Sequence, residues 1–149
     1  MRIEECTLAS LDDWADLRFA LWPKSGLAHL RGEAEAMLAS GRPIIAVLAR
    51  VDDGEAVGFA EAGLRHDHVN GCQTSPVAFL EGIYVVPAWR RQGVARRLCA
   101  AVEDWSIRQG CSELGSDANL ANEVSHQLHQ ALGFQETQRV VFFRKLLNE

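Results

Sequence analysis

The segment from Arg90 to Arg96 combines residue types that can bind a phosphate group at the start of a helix. It follows an apolar stretch that ends at Pro87, and apolar residues at helical spacing begin at Val94. The first N–H groups of a helix are unpaired and lie at the positive end of its dipole, so an anion can bind there. Gly93 has no Cβ to block the approach of a phosphate, and the arginines add positive charge. The segment predicts a site for a diphosphate carrier; the alternative is an ordinary helix start with surface arginines.

Glu81 is a second group that can do chemistry, because it stands in the apolar stretch before this segment. A carboxylate that lies in line with Phe79 and Ile83 is costly to bury unless it is paired or used. An amine substrate arrives as an ammonium ion and must lose a proton before it attacks. A carboxylate can bind that ion and accept the proton, directly or through water. Glu81 is therefore the predicted catalytic residue, and a structural salt bridge to an arginine such as Arg65 is the alternative.

The pattern of apolar residues predicts the elements that must position these groups. Apolar runs indicate strands at 3–8, 43–50, 56–65, 77–86 and 140–146, with a short strand through Leu114. Helical spacing indicates helices after Ser10, at 27–38, at 94–110 and at 124–132, the last with Gly133 as its C-terminal cap. The order βααβββαβαβ predicts an α/β protein with a mixed sheet and helices packed on its faces.

Length and composition exclude several classes of protein. The 149 residues suit one domain, residues 1–149, around a single hydrophobic core. A content of 48% hydrophobic and 23% charged residues is typical of globular proteins and argues against disorder. The formal net charge of -5 argues against nucleic acid as a partner, because phosphate binding requires a basic surface. That charge would weakly attract a cationic substrate.

The N-terminus and the cysteines indicate a cytoplasmic protein. Residues 1–6 include the acids Glu4 and Glu5 where a signal peptide would be basic and then apolar, and no apolar run approaches the ~20 residues that span a membrane. We therefore expect no membrane partner. The four cysteines form no Cys-x-x-Cys pair, so we expect no metal site and four reduced thiols, at Cys6, Cys72, Cys99 and Cys111.

The phosphate-binding segment also carries a resemblance to a known family. Its sequence, Arg90-Arg91-Gln92-Gly93-Val94-Ala95, resembles the Arg/Gln-x-x-Gly-x-Gly/Ala signature of the GNAT superfamily of acetyl-CoA-dependent N-acetyltransferases. The order of elements resembles that fold over nearly the whole chain. The resemblance implies a mixed central sheet of six to seven strands with about four helices packed on both faces. It also implies acetyl-CoA as the acetyl donor.

The resemblance further implies which residues hold acetyl-CoA. In this family the strand before the signature separates from its neighbour, and its exposed backbone binds the pantetheine arm like an added strand. That backbone would belong to Ile83, Tyr84 and Val85. The pyrophosphate would lie on Arg91, Gln92, Gly93, Val94, Ala95 and Arg96. Asn122 matches an asparagine that contacts the coenzyme, and its alternative role is to cap a helix.

Longer stretches are similar to the chromosomal-type aminoglycoside 6'-N-acetyltransferases. They occur in the same order along the chain as Leu21-Trp22-Pro23, Arg65-His66-Asp67-His68-Val69-Asn70-Gly71-Cys72, Phe79-Leu80-Glu81-Gly82-Ile83 and His129-Gln130-Ala131-Leu132-Gly133-Phe134. This similarity implies acetyl transfer to the 6'-amine of an aminoglycoside, an antibiotic-resistance activity. It also implies a small polycationic aminosugar as substrate and a homodimer as the assembly.

We assign two further residues to the acceptor side, Asp117 with the support of the resemblance and Trp22 from its position before Pro23. Asp117 follows a short strand, where site residues are common, and would join Glu81 as a catalytic acid; a turn or capping role is the alternative. Trp22 would form an apolar wall against sugar rings, or else belong to the core. A pocket with both acids would suit an acceptor with several ammonium groups.

Three positions depart from the family pattern. His68 replaces a tyrosine, and a protonated His68 would repel a cationic acceptor. Gln138 stands where relatives tend to have an acid, with Glu136 nearby. His129 replaces the tyrosine that acts as general acid toward the departing thiolate; it could donate that proton or simply pack in its helix. These positions bear on acceptor binding more than on coenzyme binding.

The expected mechanism is direct transfer in a ternary complex, because no cysteine has an evident base partner for a covalent step. A backbone N–H within 83–85 would polarise the thioester carbonyl. Two alternatives stay open. One is an acetyltransferase that acts on a polyamine, a peptide N-terminus or a lysine, and the other is a non-enzymatic acyl-CoA sensor.

Overall fold

A computed structural model describes residues 1–148 and divides the chain into two compact units, Met1–Asp117 and the segment from Ala118 onwards. The first unit contains a five-stranded sheet in the order β1-β2-β3-β4-β5. Its strands are β1 (Arg2–Glu5), β2 (Ile44–Arg50), β3 (Ala56–Arg65), β4 (Val77–Val85) and β5 (Leu114–Ser116). Its helices are α1 (Leu11–Leu21), α2 (Leu27–Ala39) and α3 (Val94–Arg108).

The sheet is mixed, and helices cover both of its faces. The pairs from β1 to β4 are antiparallel, and β5 is parallel to β4. Phe59 of β3 packs in the core cluster with Trp14 of α1, whereas its neighbour Gly58 lies against Leu98 of α3. Successive residues of a strand point to opposite faces, so α1 and α3 lie on opposite sides of the sheet. The predicted fold class is confirmed, with five strands in the described residues instead of six to seven.

The edge of β4 that faces β5 is paired only over its first half. The last pair of the parallel ladder is Leu80 with Ser116, whereas β4 continues along β3 to Val85. On the β3 side, Leu80 pairs with Ala62 and Gly82 pairs with Glu61. Glu81 is therefore the extra residue of a β-bulge, a feature that redirects side chains and bends strands near active sites.

The second unit contains one helix, α4 (Glu123–Ala131), among its described residues. Gly133 follows this helix with φ of 93°, which confirms the predicted glycine cap. The predicted strand at 140–146 is wrong, because residues 135–146 have no regular secondary structure. A strand needs a ladder partner, and residues 118–148 provide no second strand. None of the helices in residues 1–148 has both the length and the apolar character that a membrane crossing requires.

Candidate active site

The open edge of β4 is the first part of the candidate site. Ile83, Tyr84 and Val85 pair with Ala60, Phe59 and Gly58 on the β3 side. Within the unit Met1–Asp117, no strand pairs with the other edge of β4 beyond Leu80. An extended ligand arm with amide groups can add to an open edge of this kind. The predicted pantetheine-binding residues therefore lie where such an arm could bind.

The turn that precedes α3 has the backbone shape expected of an anion site. Gly93 is the N-cap of α3 and has left-handed dihedral angles, φ 82° and ψ 6°. Arg91 also has a positive φ, 61°, which is uncommon for a residue with a Cβ. No atom outside the immediate chain lies within 4 Å of the position that a Cβ on Gly93 would take. The space beside the first turn of α3 is therefore open to a ligand.

The side chains of this turn divide into two groups. Arg91, Gln92 and Arg96 are exposed, so both guanidinium groups can reach a phosphate in solvent. Arg90 instead stabilises the turn, because its Nε donates to the carbonyl oxygen of Val85 at 2.8 Å. Its guanidinium carbon also lies 5.5 Å from the centre of the Tyr84 ring. Arg90 thus links the end of β4 to the helix start, a role that its sequence context does not reveal.

Glu81 is exposed, and not buried as we expected. The bulge turns its side chain outward, and 43% of that side chain is accessible. Arg65 donates from Nη2 to both carboxylate oxygens, at 3.0 and 3.2 Å. The Arg65 guanidinium carbon lies 3.5 Å from the centre of the Phe79 ring. The alternative of a partner arginine is thus correct, but the pair is half-exposed, so an incoming cation can exchange with Arg65.

Asp117 lies beside Glu81 in the sheet register. Leu80 and Ser116 are paired neighbours, and each is followed directly by one of the two acids. The Ser116 hydroxyl donates to the Leu80 carbonyl oxygen at 3.4 Å, across the last pair before the strands part. Asp117 is exposed, like Glu81. The structure therefore brings the two predicted acids to the same point of the sheet.

Trp22 is half-buried at the end of α1 and belongs partly to the core. Its ring meets Phe59 edge-on, with centroids 6.0 Å apart. A Cβ on Gly82 would lie 2.6 Å from Cη2 of the Trp22 ring, so the ring packs directly on the backbone next to Glu81. Both predicted roles are compatible with this position, because one part of the ring is covered and the rest is accessible.

The loop at 66–76 carries His68, which is exposed. Val69 of this loop is buried and packs with Val77 and Phe79. Glu113 fixes the far end of the loop by accepting from the backbone N–H groups of Gln73 and Thr74, at 2.9 and 2.7 Å. The Thr74 hydroxyl also donates to Glu113, and this bond, followed by those from the backbone, holds the pKa of that carboxyl below its usual value.

The second unit holds the remaining predicted residues. Asn122 caps α4, because its Oδ1 accepts from the N–H of Ser125 at 3.1 Å. His129 Nδ1 donates to the Ser125 carbonyl oxygen at 2.7 Å, and its ring lies edge-on to Phe134. The capping role of Asn122 and the packed role of His129 thus have direct structural support. Gln138 is exposed in the segment without regular structure.

The cysteines do not form a nucleophilic site. All four are free of disulfide bonds in the described residues. Burial raises the pKa of Cys99 to about 12, and it raises the pKa values of Cys6 and Cys72 as well. The thiolate is the nucleophilic form, so these shifts disfavour an acetyl-cysteine step.

Glu61 is a carboxylate that the sequence predictions do not include. It is 2% exposed in the middle of β3 and accepts hydrogen bonds from Trp14 and Arg18. An acid inside an apolar strand must be paired or used, as we expected of Glu81, and Glu61 is the residue that meets this condition better. The sequence feature that could have pointed to Glu61 is the apolar run from Val57 to Ala62, which contains it.

Comparison with known proteins gives the family. The open edge of β4 and the helix start at Gly93 are features expected of a protein that binds a phosphate-containing carrier. A model described as the acetyltransferase (GNAT) family matches residues 8–134. The chain therefore belongs to the GNAT acetyltransferase family, as the resemblance implied.

The chain is also similar to individual members of this family. It is 54% identical over 142 residues to an aminoglycoside N(6')-acetyltransferase type 1 of Serratia marcescens, covering 95% of this chain and 97% of that protein. It is 47% identical over 146 residues to the protein of the same name from Salmonella typhimurium, covering 97% and 99%.

Two solved structures have closely similar folds. The 6'-N-acetyltransferase AAC(6')-IG from Acinetobacter haemolyticus, without ligand, has a TM-score of 0.91 at 46% identity and covers 99% of this chain and 100% of its own. AAC(6')-Iy in complex with the bisubstrate analogue CoA-S-monomethyl-acetylneamine has a TM-score of 0.90 at 44% identity and covers 97% of each chain.

Proposed function

We propose that this protein transfers an acetyl group from acetyl-CoA to the 6'-amine of an aminoglycoside. The observation that carries the proposal is that two acids, Glu81 and Asp117, directly follow Leu80 and Ser116, the last pair before β4 and β5 part. An aminosugar with several ammonium groups needs more than one carboxylate for orientation. The names of the similar proteins from Serratia marcescens and Salmonella typhimurium support this acceptor.

The residues at the start of α3 fit the phosphates of acetyl-CoA. Gly93 presents an open helix start, and the exposed Arg91 and Arg96 add charge on either side of it. Gln92, Val94 and Ala95 complete the turn, and the free edge of 83–85 suits the pantetheine amides. Asn122 is proposed as a further contact that combines coenzyme binding with its capping role. Acetyl-CoA supplies the acetyl group as a thioester.

The acceptor side orients the amine and removes its proton. Glu81 holds the ammonium group in exchange for Arg65 and takes a proton from it, directly or through one water. Asp117 binds a second ammonium group of the acceptor, Trp22 covers a sugar face, and His68 lines the outer part of the site. Gln138 is proposed as a further contact with the acceptor. A backbone N–H within 83–85 donates to the thioester oxygen. Juxtaposing amine and thioester in a ternary complex supplies much of the rate, with effective molarities of about 10⁵ M or more.

A thiol-release assay tests the proposal. Purified protein with acetyl-CoA is offered kanamycin-like aminosugars, a set of 6'-hydroxyl analogues, polyamines and short peptides. We expect turnover on aminosugars that carry a 6'-amine and none on the 6'-hydroxyl analogues. Turnover confined to polyamines or peptides would contradict an aminoglycoside as the acceptor and identify the acceptor as one of those amines. Tight acetyl-CoA binding without turnover on any amine would favour the acyl-CoA sensor.

We also propose that the protein acts as a homodimer in the cytoplasm, with residues 1–149 as one functional domain. Support for the dimer comes from the apolar side chains exposed near the C-terminus, among them Val141, Phe142 and Phe143, which are 75%, 85% and 92% exposed. An exposed run of apolar side chains is a surface that a second copy can cover. Four free cysteines support the cytoplasm.

A further inference from the structure

Arg18 and Glu61 form a buried ion pair beneath the acceptor side of β4. They are 5% and 2% exposed, and Arg18 donates from Nε and Nη2 to the two carboxylate oxygens, each at 3.0 Å. Trp14 Nε1 donates to the same carboxylate at 2.9 Å, and Arg18 Nη1 donates to the Leu30 carbonyl oxygen at 2.8 Å. The pair thus joins α1 and α2 to the middle of β3.

Stability alone does not explain two buried charges at this place. Burial by itself would lower the pKa of Arg18, but the hydrogen bond and the charge of Glu61 raise it above its usual value, so Arg18 stays charged. Taking both charges out of water has a large desolvation cost, and apolar replacements of such pairs are often neutral or stabilising. A buried pair of this kind is better explained by the geometry that it imposes on its neighbours.

The neighbour that the pair fixes is Trp22. The Arg18 guanidinium carbon lies 5.1 Å from the centre of the Trp22 ring, within the range of a cation–π contact. The backbone N–H of Trp22 donates to the Arg18 carbonyl oxygen at 2.8 Å, at the end of α1. Phe59 meets the ring edge-on. The end of α1 therefore fixes the Trp22 backbone, and the Arg18 guanidinium limits the orientation of the Trp22 ring.

Glu61 also sits directly opposite the bulge that exposes Glu81. Its register partner on β4 is Gly82, and the ring of Trp22 packs on Gly82, with Cη2 and Cζ2 at 2.6 and 2.7 Å from the place of a Cβ. Only glycine leaves room for the ring there. One network thus places the Trp22 ring on the residue next to Glu81.

We propose that Arg18 and Glu61 are positioning residues that hold the Trp22 ring over Gly82 and thereby set acceptor specificity for a sugar face beside Glu81. The assignment of a sugar acceptor rests on the proposed function. The positioning of Trp22 does not rest on it, because it can be read without turnover.

The main test uses the variant Arg18→Met/Glu61→Gln, in which the glutamine still accepts from Trp14. We expect the KM for the aminosugar to rise at least fivefold, while the KM for acetyl-CoA changes less than twofold. We expect the melting temperature to stay the same or to rise. Arg31→Met is the matched control, because Arg31 makes an exposed ion pair with Asp12 and should leave all three quantities unchanged.

A second background separates positioning from a general structural role. In Trp22→Phe protein, the same double substitution should change the acceptor KM less than twofold, because its effect passes through Trp22. The proposal would be overturned if the acceptor KM rises equally in both backgrounds or if the KM for acetyl-CoA rises similarly. It would also be overturned if the folded double variant has an unchanged acceptor KM.

Two further variants decide the matter if the double variant does not fold. Gly82→Ala displaces the ring without touching the ion pair and should raise the acceptor KM in the same way. Arg18→Lys keeps the charge and should lie between wild type and the double variant. Near-UV circular dichroism, with Trp22→Phe as reference, should show a changed Trp22 band in Gly82→Ala and in Arg18→Lys. An unchanged Trp22 band would overturn the positioning role. If no aminosugar is acetylated, the proposed function is contradicted, but the circular dichroism band still tests the positioning of Trp22.

Discussion

Leu80 and Ser116 form the last pair between β4 and β5, and the acids Glu81 and Asp117 follow them directly along the two parallel strands. The bulge at Glu81 and the end of β5 at Ser116 occur at the same level of the sheet. The parting of β4 and β5 therefore gives both features of the candidate site. It leaves an open edge that suits the coenzyme arm, and it places there the carboxylates that suit the amine.

The substitution Glu81→Gln separates proton removal from coenzyme binding. We expect kcat to fall by about 10²-fold or more, because the amide cannot accept the ammonium proton. The dissociation constant for acetyl-CoA, measured by calorimetry, should stay within twofold of wild type. Glu35→Gln, a change at an exposed acid on α2, is the control. Full activity in Glu81→Gln would remove Glu81 from the mechanism.

The substitution Arg65→Met tests whether Arg65 competes with the substrate for Glu81. Both partners of this pair are over 40% accessible, so we expect the free energy of unfolding to change by less than about 1 kcal/mol. The acceptor KM should fall, because the ammonium group no longer displaces a resident cation. A higher KM, measured in the same thiol-release assay, would instead assign Arg65 to orienting Glu81.

The substitution Gly93→Ala tests the helix start with a matched control elsewhere. Gly93 and Gly41 both have positive φ, 82° and 67°, and a Cβ would meet no atom within 4 Å at either place. Alanine should therefore destabilise the fold by about 1 kcal/mol at each position. Only Gly93→Ala should weaken acetyl-CoA binding, by tenfold or more. Equal coenzyme affinity in the two variants would argue against a phosphate site at α3.

The hydrogen bonds to Glu113 predict a pH-dependent anchor for the loop at 66–76. Because the pKa of Glu113 is lowered in the folded protein, the anchor is fully present above the ordinary carboxyl value of 4.5. It is lost as the pH falls through the lowered folded pKa, where Glu113 becomes protonated. The protection factors of the Gln73 and Thr74 amides, which are exchange rates corrected for the intrinsic effect of pH, should fall over that range. In Glu113→Gln the exchange should be faster at neutral pH and should show no such transition.

The contrast between Glu61 and Glu81 shows what the sequence could predict. Regular alternation along β4 predicts a buried Glu81, and it cannot reveal the bulge, because the bulge depends on register with β3. The start of α3 with Gly93 as its N-cap was predictable, since a helix start and its glycine are local features of the chain. The partner of Glu61 was not, because Arg18 lies on another element and meets it only in the folded core.

The C-terminal segment fails as a predicted strand for a related reason. Its apolar pattern is strand-like, but pairing needs a second strand, and residues 118–148 offer none. An apolar pattern indicates that a segment has side chains to bury, but it does not indicate which part of the protein, or which second chain, packs on them. The proposed dimer would give this segment a ladder partner and an apolar surface from the second copy.

Phe143→Asp tests that dimer directly. We expect light scattering to give a dimer mass for the wild type at micromolar concentration and a monomer mass for the variant, because a charge in the interface must be desolvated without a partner. Ile107→Asp is the matched control, since Ile107 is also an exposed apolar residue, 69% accessible, but lies on α3. If the wild type is a monomer at that concentration, or if both substitutions dissociate it equally, the C-terminal segment is not the interface.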